Sequence, residues 1–124
     1  MGDVRVLVVD DQEPFRRAIA AVVAETDGFV VVEFAESGEE SLAAVARLHP
    51  DLVLMDVNLP GIDGIEATRR ITLDTDAPVV ILLSTYDEDD FDISGCGAAA
   101  YVAKAAFGPD RLADAWAAAT TRPA

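Results

Sequence analysis

Val4-Arg5-Val6-Leu7-Val8-Val9-Asp10-Asp11 decides the fold: a short, mostly β-branched apolar run that stops at two adjacent carboxylates. Such a run suits a strand covered on both faces, the condition of a parallel sheet. Outward from it, Pro14 fits the first turn of a helix, and Phe15, Ile19, Val22 and Val23 recur at helical spacing until Gly28. Residues 29–34 are strand-like again. Ser37, with Glu40 three positions on, makes a capping box; Leu42, Val45 and Leu48 continue the buried stripe, and His49-Pro50 ends it. A third strand, residues 51–55, ends at Asp56 and is followed by the turn Asn58-Leu59-Pro60-Gly61 and a helix carrying Ile62, Ile65 and Ile71. Pro78 precedes a fourth strand, residues 79–83, which ends at Ser84-Thr85. The fifth, residues 101–103, ends at Lys104, and Pro109 opens a last helix with Leu112 and Trp116.

Five strand–helix units in alternation predict an α/β domain: a doubly wound, flavodoxin-like parallel sheet of order 2-1-3-4-5 with helices on both faces. The 124 residues suit one domain, 1–124, with a core large enough to fold without disulfides or metals. Twenty-three carboxylates stand against nine basic residues, a net charge of -14, so the field repels phosphate backbones and acidic membranes. Nucleic acid is therefore excluded as a partner of this domain alone, and so is the membrane surface. A lone Cys96 builds no disulfide framework, and neither a signal segment nor a membrane-length apolar run occurs in the sequence. The expected location is cytoplasmic. Eight of the nine basic residues are arginines, leaving Lys104 as the only lysine.

Ligands of open parallel sheets bind outside the carboxyl ends of the strands. Strand one delivers Asp10 and Asp11 there, strand three Asp56, strand four Ser84 and Thr85, and strand five Lys104. Three close carboxylates repel one another, and a hard divalent cation such as Mg2+ resolves the conflict while keeping positions for water and a phosphate oxygen. With no His or Cys in the set, Zn2+ and redox metals are disfavoured. The lysine and the hydroxyl add a counter-charge and a donor for a phosphoryl group, whose transfer needs mainly positioning and charge neutralisation. Asp56, alone at the end of the central strand, is the best nucleophile for an aspartyl phosphate, while the adjacent Asp10 and Asp11 suit metal binding.

At this point the sequence resembles the receiver domains of two-component response regulators. The resemblance covers essentially the whole chain and rests on Val8-Val9-Asp10-Asp11, the block Leu54-Met55-Asp56-Val57-Asn58-Leu59-Pro60-Gly61-Ile62-Asp63-Gly64, Leu83-Ser84-Thr85-Tyr86-Asp87 and Tyr101-Val102-Ala103-Lys104. The wording of the central block is similar to the subfamily that usually carries a C-terminal helix-turn-helix output domain, absent from these 124 residues. The resemblance implies a phosphoacceptor, Asp56, that takes phosphate from a sensor histidine kinase, with Mg2+ held by Asp10, Asp11, Asp56 and the backbone carbonyl of Asn58. It implies that Ser84 is the switch hydroxyl, Lys104 the phosphate-pairing lysine and Tyr101 the aromatic that changes rotamer with it. Asn58 and Tyr86 fall where the family tunes the lifetime of its aspartyl phosphate. The implied partners are the kinase, a downstream protein or a missing DNA-binding output domain, and a second copy in a homodimer. Beyond its own phosphorylation and dephosphorylation, no enzymatic activity is implied. Arg16 and Arg17 are expected on the exposed face of the first helix, which in receivers helps dock the kinase.

Two features depart from the family pattern. Only twenty positions separate Ser84 from Lys104, and Gly95-Cys96-Gly97 stands where a fourth helix should continue. That helix is expected to be short or irregular, which bears on the usual output and dimerisation face. The acids of Asp87-Glu88-Asp89-Asp90-Phe91-Asp92 suit a solvated helix start. Taken singly, the Asp pair is a turn feature, Lys104 a surface lysine and Tyr101 a packing residue; their conjunction at one sheet end favours function. The runner-up is a receiver-like interaction module that acts without phosphorylation. A phosphatase of the haloacid-dehalogenase kind fits less well, since it wants a second Asp two residues after its nucleophile on the first strand and Gln12 stands there.

Overall fold

The computed structural model describes residues 3–85 and 95–120. In chain order the elements are β1 (Val4–Val9), α1 (Glu13–Ala24), β2 (Phe29–Ala35), α2 (Gly38–Leu48), β3 (Leu52–Asp56), α3 (Gly64–Ile71), β4 (Val79–Ser84) and β5 (Ala100–Ala103), then a 3-10 turn (Lys104–Ala106) and α4 (Pro109–Thr120). The five strands form one sheet of order β2-β1-β3-β4-β5, every neighbouring pair parallel. This is the architecture and strand order expected from the sequence. The expected short fourth helix and Tyr86 lie outside the described residues.

Pleat alternation divides the core into two layers. Leu7, Val9, Val53, Met55, Val80 and Leu82 pack with Ala44 of α2 and Ile65, Ala67 and Ile71 of α3. Val6, Val8, Leu52, Leu54, Ile81, Leu83 and Val102 pack with Ile19 and Val23 of α1 and Leu112 of α4. Each fully buried aliphatic side chain contributes about 1.5–3 kcal/mol of hydrophobic stabilisation. The central strands therefore anchor whatever stands at their ends.

Helix boundaries follow local chemistry. The Ser37 hydroxyl accepts from the Glu40 amide at 3.0 Å, as the capping box predicts. His49 ends α2 in the left-handed region (φ 49°), and its carbonyl accepts from the Arg5 guanidinium at 2.9 Å. Asp63 caps α3 by accepting from the Glu66 amide at 2.8 Å. Trp116 seats α4 edge-on against Phe29, their ring centroids 6.1 Å apart.

Two glycines are required by close approach. A Cβ on Gly64 would lie 2.0 Å from the backbone oxygen of Asp56, so only glycine lets α3 start directly beneath the end of β3. Gly97, at φ +95°, would meet the Thr72 side chain at 2.0 Å. There the Thr72 hydroxyl donates to the Cys96 carbonyl at 2.9 Å and the Cys96 side chain is buried in the α2–α3 layer. The Gly-Cys-Gly triplet is thus a turn pinned to the C-terminal end of α3.

Candidate functional site

Register explains how residues far apart in sequence meet. Val9 pairs with Met55, Asp56 with Leu83, and Ser84 with Ala103, so Asp10, Asp56, Ser84 and Lys104 all arrive at one edge of the sheet. The period of two adds a direction. Asp10 follows Val6 and Val8, Asp56 follows Leu52 and Leu54, and Lys104 follows Val102, each continuing the layer that packs on α1 and α4. Three charged side chains therefore converge on the α1 side of the sheet.

Lys104 is the hub of the cluster. Its ammonium donates to Asp10 Oδ2 at 2.7 Å and lies 3.4 Å from Asp56 Oδ1. Asp10 is fully buried, Asp56 is 5% exposed, and Asp11 is exposed. The backbone amide of Gln12 donates to Asp10 Oδ1 at 2.9 Å, closing the turn after β1, while the Asn58 amide reaches Asp56 Oδ1 at 3.4 Å. Burial, and then the Asp10 charge, push the Asp56 carboxyl up to about 6 against the opposing pull of Lys104. Asp56 thus holds its charge at a cost.

One carboxylate oxygen from each of Asp10, Asp11 and Asp56 lies within 4.8 Å of the others. Three hard oxygen donors, with no His or Cys in the group, fit a hard divalent cation and not a soft one.

Of the remaining sequence candidates, Ser84 is fully buried at the end of β4. Thr85 is exposed and shares with Lys104, Phe15 and Phe107 a cavity of about 320 Å³ between α1 and the 3-10 turn. Tyr101 is half-buried on β5, packed against the α2–α3 layer, and lines a second concavity of about 670 Å³ that none of the three clustered aspartates borders. The Asn58 side chain is exposed on the loop after β3.

Two neighbours escaped the sequence reading. Arg16 is not on the exposed face: its guanidinium donates to the Asp10 carbonyl at 2.9 Å and stands 3.6 Å from Glu36, with the side chain 16% exposed. Arg17, by contrast, is exposed and pairs with Glu13. The Phe15 ring centroid lies 3.8 Å from the Lys104 ammonium. Helical periodicity assigned Phe15 to the core; the signal that it has a second neighbour is its place one turn after the Asp pair.

Fold and site together define a doubly wound α/β domain with a buried carboxylate–ammonium cluster at the carboxyl end of its parallel sheet. The chain belongs to the response regulator receiver domain family of two-component signalling, whose profile matches residues 6–117. It is 45% identical over 105 residues to the response regulator GacA of Pseudomonas viridiflava, covering 83% of this chain and 49% of that protein. It is 35% identical over 103 residues to the transcriptional regulatory protein LiaR of Bacillus subtilis, covering 82% and 49%. The chain therefore spans about half the length of these relatives. Among solved structures, the response regulator domain of Thermotoga maritima CheB superposes with a TM-score of 0.81 at 27% identity, covering 98% of this chain and 99% of that one. Among the described residues no helix is long and apolar enough to cross a membrane.

Proposed function

We propose that this chain is a phosphoacceptor switch, in which Asp56 takes a phosphoryl group from the phosphohistidine of a sensor kinase. What carries the reading is the placement of Lys104 between two buried carboxylates, 2.7 Å from Asp10 and 3.4 Å from Asp56. A carboxylate oxygen of Asp56 attacks phosphorus; the new O–P bond forms as the P–N bond breaks, and the imidazole nitrogen leaves with the bonding pair. Asp10, Asp11, Asp56 and the Asn58 carbonyl would hold Mg2+, which supplies charge neutralisation and orientation of the phosphoryl oxygens. Lys104 exchanges its Asp56 contact for a phosphoryl oxygen, keeping one positive charge on the transferring group.

Switching follows from the change in charge. The Ser84 hydroxyl donates to the phosphoryl oxygen, and Tyr101 changes rotamer as β4 shifts, altering the surface of β5 and α4. Asn58 and Tyr86 tune access of water to the acyl phosphate. That surface addresses a downstream partner, a second copy, or a DNA-binding output domain, in keeping with the similarity to the transcriptional regulatory protein LiaR. In this reading residues 1–124 form one receiver domain that acts in the cytoplasm and catalyses only its own phosphorylation and dephosphorylation.

The test is labelling by acetyl phosphate, which supplies a phosphoryl group without a kinase. Wild-type protein incorporates one acid-stable, hydroxylamine-labile phosphate only when Mg2+ is present, and Asp56→Ala incorporates none. Wild-type-level labelling of Asp56→Ala would overturn the assignment.

A further inference from the structure

We infer that Phe15 is a positioning residue for phosphoryl acceptance, acting through Lys104 and resting on the role proposed for Lys104 above. The Lys104 ammonium has three N–H donors. One is spent on Asp10 at 2.7 Å, the ammonium stands 3.4 Å from Asp56 as an ion pair, and it sits 3.8 Å from the centroid of the Phe15 ring. The negative face of an aromatic ring attracts a cation at this separation, and the attraction grows as water is excluded. The Lys104 side chain is only 11% exposed.

The geometry has a specific consequence for a lysine. Its ammonium rides on a flexible four-carbon stem, and its Asp56 contact is one that phosphorylation changes. The ring contact does not depend on the charge of Asp56. Phe15 is fixed independently of the acidic cluster by the first turn of α1, where Pro14 sets the backbone. Ala18, Ile19 and Phe107 line the same cavity as Phe15 and Lys104. Phe15 therefore supplies a constant wall about which the ammonium pivots from carboxylate to phosphoryl oxygen. Leucine removes the quadrupole and some of the wall, whereas a fluorinated ring weakens the quadrupole at nearly constant shape, so the two contributions separate experimentally.

Because Lys104 is the only lysine, labelling with lysine carrying 15N at Nζ gives a single ammonium signal whose assignment needs no mutant. The inference predicts that this proton signal in the wild type is shifted upfield by the ring current and exchanges slowly. In Phe15→Leu it moves downfield and exchanges faster, while the acetyl-phosphate labelling rate of Asp56 falls about three- to tenfold, the span of one lost cation–π contact. Phe15→Tyr restores both readouts. Wild type carrying mono-, di- and trifluorinated phenylalanine, which keep the ring's shape while draining its face, loses rate stepwise. Urea unfolding followed by Trp116 fluorescence reports whether each variant is folded.

Wild-type labelling together with an unchanged Lys104 signal and rate in Phe15→Leu would overturn the inference alone. So would a flat fluorination series, or a tyrosine variant as slow as leucine. A wild-type protein that takes no phosphate at all would overturn the parent reading instead, and the Lys104 signal in Phe15→Leu would still decide whether the ring holds the ammonium.

Discussion

Replacing Asp56 by Asn keeps the shape of the side chain and removes its charge, and the structure predicts that the folded state gains. Asp56 is 5% exposed, and its carboxyl is raised from 3.8 to about 6 by burial and by the Asp10 charge. A group whose folded pKa lies above its unfolded one binds more protons when folded, so wild-type stability falls as pH rises through the interval between the two values. Integrating that linkage gives a penalty of about 1.5 kcal/mol at pH 5, growing to about 3 kcal/mol at pH 7.5. Asp56→Asn escapes it. In EDTA, urea unfolding followed by Trp116 fluorescence should therefore find the variant more stable than wild type, with the gap widening by about 1.5 kcal/mol between pH 5 and 7.5. Mg2+ should then stabilise the wild type more than the variant, because the cation offsets the repulsion that Asn lacks. A variant equal to or weaker than wild type at pH 7.5, or a gap independent of pH, would refute the reasoning.

Gly64→Ala places a Cβ 2.0 Å from the Asp56 carbonyl oxygen; it should lower stability by about 3 kcal/mol and weaken Mg2+ binding, checked by urea unfolding and by calorimetric titration. Ser84→Ala should accept phosphate yet leave the amide spectrum of β5 unresponsive to it, whereas Thr85→Ala should respond as wild type does; the reverse pattern would give the switch hydroxyl to Thr85. Arg16→Met loses the bonds to the Asp10 carbonyl and Glu36 and should weaken Mg2+ binding about tenfold. Arg17 pairs with exposed Glu13, and Arg17→Met should change Mg2+ affinity little by the same calorimetric titration.

The apolar runs and their endings made most of this legible before any coordinates. Residues 4–9, 51–55 and 79–83 announced strands, the first of them covered on both sides, and the residues following them, Asp10, Asp56 and Ser84-Thr85, announced where the site would lie. The structure sharpened this through alternation: Val8, Leu54 and Val102 share a layer, so Asp10, Asp56 and Lys104 two positions later share it too. Other contacts depend on how helices settle against the sheet, which periodicity does not encode. Phe15 looked like one more stripe residue of α1, yet its ring lies against the Lys104 ammonium. Arg16 was expected beside Arg17 on the exposed face of the first helix, yet its guanidinium turns back to the Asp10 carbonyl. Gly64 stood inside a quoted motif without a role, since its need for a bare Cα comes from the approach of α3 to the end of β3.

The central claim is that a single carboxylate, Asp56, becomes an acyl phosphate. Borohydride reduces an aspartyl phosphate to homoserine, leaving a permanent mark at the acceptor position. After incubation with acetyl phosphate and Mg2+, reduction and peptide mapping by mass spectrometry should find homoserine at position 56 and at no other aspartate. Homoserine at Asp10, Asp11 or a surface aspartate, or an unmodified position 56 in protein that binds Mg2+, would contradict the account.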